Sequence, residues 1–387
     1  MSSKENILVF CSREICYCSG NFFAHQLGAA FEELGFEVQV CEFTREDDFD
    51  KILSPLTGKK YRAIFDFNSL LPRLEMEDGT PFMEQLDGPF FDYVLDHPLF
   101  HYNALVRSGK NFHAIVLDEA QEEYVRRYHP QLAGVHMLPL GATEALFEGA
   151  KNPADKILFM GTYDNPESVY ELVTSSPEPL RTFMKNLIEQ RLADPCLPME
   201  EAFRRYLKEE DMELDDGNFS LFMNAMYPVD AYIRDYFRKA AIDELLAKKI
   251  PVLAVGEGWH KYTPANAAYL TKGKPVLFEL SFEKIAREQI LLNVSPIFNR
   301  GLHDRILAGM ANKTAVLTDE NPYLRTHLKD RENIALYSLK NMESLSNLAG
   351  ELMENSALRE HIAEQGYQEF SANHTWMERA KTILSWM

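Results

Sequence analysis

Short apolar runs alternate with helix-forming stretches along this chain of 387 residues. In the first part the runs are ILVFC, EVQVCEF, RAIFDF, FDYVLDH, HAIVLD and VHMLPLG. In the second part they are KILFMG, PVLAVG, PVLFEL, QILLNVS, TAVLTD and NIALYS. Strands that alternate with helices usually pair in parallel, so the pattern predicts an α/β protein made of two doubly wound halves in tandem.

A polar break at Phe147–Asp155 separates the two series, and we interpret it as an interdomain linker. The predicted domains are residues 1–150 and 151–372, and an amphipathic helix in 373–387 closes the chain. Between KILFMG and PVLAVG the sequence contains helix formers and no strand-like run. Residues from about 178 to 248 are therefore predicted to form a helical insertion in the second domain.

The net charge and the cysteine content indicate which partners and which compartment the protein can have. Forty Lys and Arg stand against 59 Asp and Glu, a net charge of -19, which disfavours binding to nucleic acid or anionic membranes. No run is long and apolar enough to span a bilayer, and the N-terminal stretch does not resemble a signal peptide. Five cysteines favour reduced thiols in the cytoplasm, and the spacing of Cys11, Cys16, Cys18 and Cys41 fits no standard zinc site.

Candidate functional residues follow the predicted strands, because ligands of doubly wound sheets bind beyond the carboxyl ends of the strands. Small and polar side chains dominate these positions. They are Gly20, Asn21, Asn68, Asp96, His97, His101, Gly161, Thr162, Tyr163, Gly256, Trp259, Ser295, Asp319 and Asn321. In a nucleotide site, glycines admit the ligand close to the backbone, and an aromatic such as Tyr163 or Trp259 can stack on a ring. The alternative for Trp259 is a place in the core.

The stretch NRGLHDR places charged side chains where a predicted helix begins. A helix start offers unpaired N–H groups and positive potential to a phosphate. Gly301 allows close approach, His303 adds a donor and Arg305 offers a bidentate fork. The alternative is that Arg305 pairs with Asp304 or Glu320 on the surface while His303 caps the helix, and from the motif alone the two interpretations are equally weighted.

The stretch YVLDHPLFHY suggests acid–base chemistry. Pro98 ends the strand and leaves Asp96 and His97 at its carboxyl end, with His101 close behind. A carboxylate beside an imidazole can act as a general base. The alternative, that Asp96 caps the next segment and His97 packs, is open. The sequence contains no nucleophile elbow, Walker loop or HExxH motif, and no GxGxxG follows the first strand.

Much of the chain resembles the CgeB-like (spore maturation protein) family of GT-B glycosyltransferases, related to group 1 glycosyltransferases. The similar stretches are VDAYIRDYFRKAAIDELLAKKIPVLAVGEGW, ILLNVSPIFNRGLHDRILAGMANKTAVLTDENPYL, HIAEQGYQEFSANHTWMERAKTIL, FDYVLDHPLFHYNAL and IVLDEAQEEYVRRYHPQLAGVHMLPLGA. The resemblance implies two Rossmann-like domains facing a central cleft. The second would bind a nucleotide sugar, the first would face the acceptor, and the last helix would pack back toward the first domain.

The resemblance also implies roles for residues. The sugar-diphosphate region would contain His303 and Arg305. The rest of the donor side would be Gly161, Thr162, Tyr163, Gly256, Trp259, Asn293, Ser295, Asn299, Gly301, Asp319 and Asn321, and the acceptor side would be Gly20, Asn21, Asn68 and His101. Asp96, with His97 beside it, would be the base of an inverting reaction.

The expected activity is transfer of a sugar from a nucleotide donor, most simply UDP-linked, to an unidentified acceptor without a metal or other cofactor. Related enzymes often hold the ribose with a Glu where this chain has Ala308 and Gly309, so ribose recognition is expected from other residues. A nucleotide-sugar epimerase and a catalytically silent nucleotide-sugar or partner-binding protein are the competing interpretations.

Overall fold

The computed structural model describes residues 5–14, 16–44, 46–76 and 79–387, without the side chains of Cys16 and Asp50. The chain forms two compact units. The N-terminal unit contains the described residues up to Gly141, together with Leu277–Glu279 and Thr375–Met387. The C-terminal unit contains Ala142–Val276 and Leu280–His374.

The N-terminal unit is built on a parallel sheet of six strands. They are β1 (Asn6–Ser12), β2 (Glu37–Phe43), β3 (Ala63–Phe67), β4 (Phe90–Tyr93), β5 (Phe112–Val116) and β6 (Gly134–Met137). Their order is β2-β1-β3-β4-β5-β6, so the strand order reverses between β1 and β3. The helices of this part are α1 (Ser19–Glu33), α2 (Phe49–Leu53), α3 (Tyr102–Arg107) and α4 (Glu119–Tyr128).

Helix α1 follows the predicted apolar period. Phe23, Leu27 and Phe31 recur every four residues and are buried. This spacing puts all three on one face of the helix, which covers the sheet. The helix ends at Glu33, and Gly35 follows with a φ of 97°, a left-handed conformation that glycine adopts without steric cost.

The C-terminal unit has a second parallel sheet of six strands. They are β7 (Ile157–Met160), β8 (Val252–Val255), β9 (Leu270–Gly273), β10 (Ile290–Asn293), β11 (Ala315–Asp319) and β12 (Ala335–Tyr337). Their order is β12-β11-β10-β7-β8-β9, and the reversal lies between β10 and β7. The two parallel sheets confirm the α/β prediction of two doubly wound halves.

Ten helices belong wholly or mainly to this unit. They are α5 (Pro166–Ser175), α6 (Leu180–Ala193), α7 (Met199–Glu209), α8 (Asp216–Asn224), α9 (Tyr227–Ala247), α10 (Phe278–Arg287), α11 (Asp304–Ala311), α12 (Pro322–His327), α13 (Met342–Glu354) and α14 (Ser356–Asn373). Helices α6 to α9 occupy the predicted insertion. Aromatic packing holds them together, since the Phe203 ring centroid lies 5.2 Å from that of Phe183 and 5.1 Å from that of Phe219.

One predicted strand is wrong. The run PVLFEL forms no strand, and α10 begins at its Phe278. Most of this run is exposed, with Leu277 48% and Leu280 49% exposed. Phe278 is the member that packs, its ring lying 5.5 Å from Phe22 and 5.0 Å from Phe23. The sixth strand is β9, just upstream. It is half-exposed at the edge of the sheet, which explains why its sequence LTKG carries no apolar signal.

The polar segment Phe147–Asp155 has no helix or strand and is bonded to the C-terminal unit. The Lys151 ammonium is the centre of this attachment. Its Nζ lies 2.8–3.0 Å from four oxygens, namely Ala286 O, Glu288 O, Asn312 O and Thr314 Oγ1. Burial lowers the pKa of Lys151 to about 8, and the Glu288 carboxylate opposes that shift.

The last helix, α15 (Trp376–Leu384), belongs to the N-terminal unit. The Trp376 ring lies 5.8 Å from that of Phe23, and Arg379 Nε donates to Leu140 O at 3.3 Å. Beyond the helix, Trp386 stacks on His136 with ring centroids 3.9 Å apart. Among the described residues, no helix is both long and apolar enough to cross a membrane.

Candidate functional site

The carboxyl ends of β7 and β10 meet where the second sheet reverses its strand order. In open parallel sheets this switch point leaves a crevice in which ligands bind. Gly161 follows β7, Ser295 follows β10, and the loop after Ser295 leads into α11. The candidate donor site is therefore assembled from these two strand ends and the start of α11.

His303 caps α11. Its Nδ1 lies 3.1 Å from the Arg305 backbone N–H, which donates to it, and 2.7 Å from Asp304 Oδ1. Burial lowers the pKa of His303, so the imidazole is neutral near pH 7. The capping role that the sequence left open is thus real, and it places a polar ring at the helix start.

Two buried asparagines hold the loop before α11. Asn321 Nδ2 donates to Phe298 O and Gly301 O, both at 2.9 Å, while its Oδ1 accepts from Leu324 N and caps α12. Asn299 Nδ2 donates to Pro195 O and Pro296 O. Because both amides are bonded to backbone, they shape the loop around Gly301.

Arg305 directs its guanidinium toward the strand ends. Its Nη1 donates to Asn293 Oδ1 at 2.7 Å, and its Nη2 is 3.7 Å from where a Cβ on Gly161 would lie. The guanidinium carbon is 5.8 Å from the Phe159 ring centroid. Arg305 thus lies between the ends of β7 and β10, at the switch point of the sheet.

The two carboxylates suggested as surface partners of Arg305 have other contacts. Asp304 lies against His303, and Glu320 accepts from Arg325. Arg305 itself donates to Asn293 Oδ1, so its guanidinium is directed at the end of β10.

A polar network supports Arg305 from beneath. Asn293 Nδ2 donates to Thr318 Oγ1 at 2.9 Å, and Ser295 Oγ donates to Asn293 Oδ1 at 3.0 Å. Asp319 Oδ1 accepts from Ser295 N at 2.9 Å, and burial raises the pKa of Asp319 to about 6 against the effect of this bond. Asn293 is fully buried, so these bonds fix the oxygen that Arg305 contacts.

The turns after β7 and β8 lie against each other. Gly161 N donates to Val255 O, and Tyr163 N donates to Glu257 O, both at 2.9 Å. Gly256, with φ of 150°, passes so close that an added Cβ would lie 2.2 Å from Gly161 O. Glycine is therefore required sterically at Gly256.

Tyr163 and Trp259 do not serve as exposed stacking platforms, which corrects the sequence expectation. Both are buried, with ring centroids 5.3 Å apart, and Trp259 Nε1 donates to Gly161 O at 2.7 Å. Their faces are used by each other and by Tyr262. They shape the backbone of the turn that carries Gly161 and Thr162.

The ribose position implied by the resemblance is part of the core here. Ala308 and the rest of that face of α11 are buried. A Cβ on Gly309 would lie 2.4 Å from Val316 Cγ2 and 3.0 Å from Leu291 Cδ2. A carboxylate from this part of α11 would have to displace the sheet, so ribose recognition from other residues stays a prediction.

A cavity of about 540 Å³ opens beyond β11 and β12 in the C-terminal unit. Asn321 connects it with the loop before α11. Its wall combines two ion pairs, Lys340 with Asp194 and Arg325 with Glu320, with small polar and apolar groups. The lining residues are Asp194, Pro195, Cys196, Glu320, Asn321, Pro322, Arg325, Thr326, Ser338, Leu339 and Lys340.

The acceptor-side candidates lie at the carboxyl edge of the first sheet. Gly20 and Asn21 are in the first turn of α1, and Asn68 follows β3, so they flank the switch between β1 and β3. Asp96 is exposed, and its Oδ2 accepts from Asn68 Nδ2 at 2.8 Å. The position of Asp96 suits a proton acceptor that solvent and a substrate can reach.

The two histidines after β4, His97 and His101, are buried. His97 is buried, its Nδ1 accepts from Leu99 N at 3.2 Å, and its ring packs 5.7 Å from that of Tyr124. His101 is 2% exposed, and burial lowers its pKa to about 4. The expectation that His101 faces an acceptor is wrong, because its side chain is enclosed by the protein.

The cysteines whose side chains the structure describes are free thiols. Cys11 and Cys41 are buried, and burial raises the pKa of both thiols, that of Cys41 to about 11. The Cys16 side chain lies outside the described residues. Within the described ranges, no three His, Cys, Asp or Glu side chains converge in a metal-binding arrangement.

Comparisons with known proteins agree with this architecture. Residues 234–385 match the family model described as "Glycosyl transferase-like", which covers α11 and most of the second sheet. No curated protein sequence matches the chain.

Solved structures of glycosyltransferases resemble nearly the whole chain. Sucrose-phosphate synthase from Thermosynechococcus elongatus gives a TM-score of 0.58 at 13% identity, over 99% of this chain and 98% of that chain. AviGT4, a glycosyltransferase involved in avilamycin A biosynthesis, gives 0.54 at 10% identity, over 98% and 96%. T4 phage BGT in complex with its UDP-glucose substrate gives 0.53 at 10% identity, over 98% of each chain. The chain therefore has the GT-B fold, with two Rossmann-like units.

Proposed function

We propose that this protein is a glycosyltransferase that moves a sugar from a nucleotide donor, most simply UDP-linked, to an acceptor hydroxyl. The observation that carries the proposal is Arg305, which reaches the crevice between β7 and β10 from the first turn of α11. A cation, helix N–H groups and close-lying Gly161 suit the diphosphate of a nucleotide sugar.

The roles of the side chains follow from charge development. When the acceptor oxygen attacks the anomeric carbon, the bond from that carbon to the diphosphate breaks and its electron pair leaves with the nucleoside diphosphate. Arg305 and the start of α11 would stabilise this charge, and neutral His303 would add a polar contact. In an inverting reaction, Asp96 would take the acceptor's proton and later release it to water.

Several observations support the proposal. The "Glycosyl transferase-like" model covers the segment that contains Arg305, and the T4 phage relative of the same fold was solved with UDP-glucose. The CgeB-like placement, the cytoplasmic location and a mechanism without a metal remain parts of the proposal. The donor sugar and the acceptor are left open by the residues that line the site.

The proposal is tested with a panel of nucleotide sugars and the variants Arg305→Ala and Arg331→Ala. Arg331 is an exposed arginine paired with Glu351, so its variant controls for loss of a positive charge. We expect wild type and Arg331→Ala to bind and turn over one donor. Arg305→Ala should lose on the order of 10²-fold in turnover, as is typical when one transition-state contact is removed.

Unchanged donor affinity and turnover in Arg305→Ala would show that Arg305 does not hold the diphosphate. Each donor is also incubated with the protein alone and followed by NMR. Conversion of its sugar without an acceptor would indicate an epimerase, and the absence of binding by any donor would remove the proposed function.

A further inference from the structure

Two consecutive residues after β3 adopt a strained backbone. Asn68 has φ of 62° and Ser69 has φ of 55°, and neither is glycine. The left-handed conformation is unfavourable for residues with a Cβ, although asparagine tolerates it better than most. Such strain persists where surrounding contacts enforce it, and it concentrates at functional sites.

Two buried carboxylates enforce this turn. Asp92 Oδ1 accepts from Ser69 N at 3.0 Å, and its Oδ2 accepts from Ser69 Oγ at 2.6 Å. Asp66 Oδ1 accepts from Phe67 N, and its Oδ2 accepts from Leu71 N at 2.7 Å. Asp66 and Asp92 are register partners on β3 and β4, so the turn is held from both strands beneath it.

The strained turn brings the Asn68 amide to the segment after β4. Asn68 Nδ2 donates to Asp96 Oδ2 at 2.8 Å, and Asn68 Oδ1 lies 3.2 Å from Leu95 N and 3.3 Å from Asp96 N. One asparagine side chain therefore holds both the backbone and the carboxylate of Asp96. Asp96 itself is exposed, which leaves its position dependent on these contacts.

We propose that Asn68 is a positioning residue that aims the Asp96 carboxylate at the acceptor hydroxyl, and that Asp92, acting through Ser69, locks the turn from which Asn68 reaches it. The inference rests on the proposed function. In the reaction, the acceptor O–H bond breaks as its oxygen bonds to the anomeric carbon. The proton passes to Asp96, and the diphosphate leaves with the electron pair of the broken bond.

The decisive variants are Asn68→Gly and Asn68→Ala, measured by steady-state kinetics. Glycine removes the amide but accepts the left-handed backbone, whereas alanine removes the amide and retains the strain. If the side chain positions Asp96, both variants lose on the order of 10-fold or more in kcat, with little change in the KM of the donor.

Two controls separate positioning from loss of fold. Asn111→Ala removes another exposed amide of the same unit, one that donates to Gly88 O, and should leave kcat unchanged. In Asp96→Asn, the further substitution Asn68→Gly should cost little more, because a residue that acts through Asp96 has no independent effect once that carboxylate is absent.

The lock is tested with Ser69→Ala, which removes the hydroxyl bonded to Asp92. Ser108→Ala, which removes a buried hydroxyl bonded to Ala104 O, is its matched control. Ser69→Ala should reduce kcat with little change in the KM of the donor, as Asn68→Gly does, while Ser108→Ala should leave kcat unchanged.

The outcomes distinguish this inference from the function on which it rests. A wild type that turns over no nucleotide sugar removes the proposed function and the role of Asn68 together. A wild type that is active, with Asn68→Gly matching it in kcat, overturns the positioning role alone. Full additivity of Asn68→Gly and Asp96→Asn would also overturn it.

Discussion

Gly256 shows how strongly a single residue constrains the candidate donor site. The backbone there has φ of 150°, and an added Cβ would lie 2.2 Å from Gly161 O and 3.2 Å from Thr162 N. These are backbone atoms, so no side-chain rotation can relieve the overlap. The turns after β7 and β8 can therefore pack this closely only because Gly256 has no Cβ.

We predict that Gly256→Ala destabilises the protein by about 2 kcal/mol or more, because backbone strain and overlap add. The matched control is Gly58→Ala. Gly58 also has a positive φ, of 71°, but an added Cβ would meet nothing within 4 Å. The control should lose only about 1 kcal/mol from the left-handed backbone. Chemical denaturation of both variants measures the difference, and equal losses would contradict the steric argument.

At this scale the sequence predicted the chemistry of side chains better than their surroundings. The position and charge of Arg305 were sufficient to predict a polar group at a helix start, and the structure places its head at the strand ends. Tyr163 and Trp259 could not be assigned correctly, because an aromatic after a strand is equally consistent with stacking and with burial. The left-handed pair Asn68 and Ser69 was also beyond prediction, since the carboxylates that hold it come from two strands.

Helix α11 connects the candidate site with the core of the C-terminal unit. Its first turn presents Arg305, and its middle lies flat on β10 and β11 because Gly309 has no side chain. The position of the guanidinium therefore depends on how closely the helix approaches the sheet.

Gly309→Ala should lift α11 from the sheet. Its Cβ would lie 2.4 Å from Val316 Cγ2, and overpacking of this kind costs about 1–3 kcal/mol. Gly350→Ala in α13 is the control, because nothing lies within 4 Å of its added Cβ and helix propensity should make it stabilising by about 0.5–1 kcal/mol. Thermal unfolding compares the two. A stabilised Gly309→Ala would contradict the overpacking argument. Because Arg305 lies on the same helix, lifting α11 is also expected to weaken donor binding.

The strand that was mispredicted shows where element-level patterns fail. Buried strands such as β7 and β10 can be predicted from their unbroken apolar runs. The edge strand β9 is half-exposed and has no such run, whereas PVLFEL is apolar without forming a strand, and its Leu277 and Leu280 are exposed. An apolar run therefore identified strands in the interior of the sheet and failed at its edge.

For the whole molecule, buried acidic groups couple stability to pH. Asp319 has a pKa of about 6 in the folded protein, raised from 3.8 mainly by burial. Its charged form is therefore disfavoured in the folded state relative to the unfolded chain. Below pH 4 the carboxyl is mostly protonated in both states, so its burial costs little stability. The free energy of unfolding then falls as the pH rises from 4 to 6, and the cost of burying Asp319 is largest above pH 6.

We predict that Asp319→Asn removes this part of the pH dependence. Between pH 4 and pH 7 the wild type should lose about 2 kcal/mol of unfolding free energy relative to the variant. Denaturant titrations of both proteins at several pH values measure that difference, and the contributions of other groups cancel in the comparison. Parallel pH profiles for the two proteins would show that Asp319 does not titrate in this range.

The architecture as a whole was predictable because it depends on many weak signals that agree. Two series of apolar runs, separated by a polar break, predicted two parallel sheets, and the GT-B fold confirms that reading. The strand orders, which define the switch points at β1–β3 and β7–β10, required the structure. Sequence gives the succession of strands along the chain, whereas their neighbours in the sheet are set by how the helices cross over.

The N-terminal unit incorporates Thr375–Met387, including α15. During synthesis this segment leaves the ribosome after every other part of both units. The contacts of Trp376 with Phe23 and of Arg379 with Leu140 O can therefore form only after the whole C-terminal unit has been made. Although domains commonly fold in the order of their translation, the unit that begins first here is completed last.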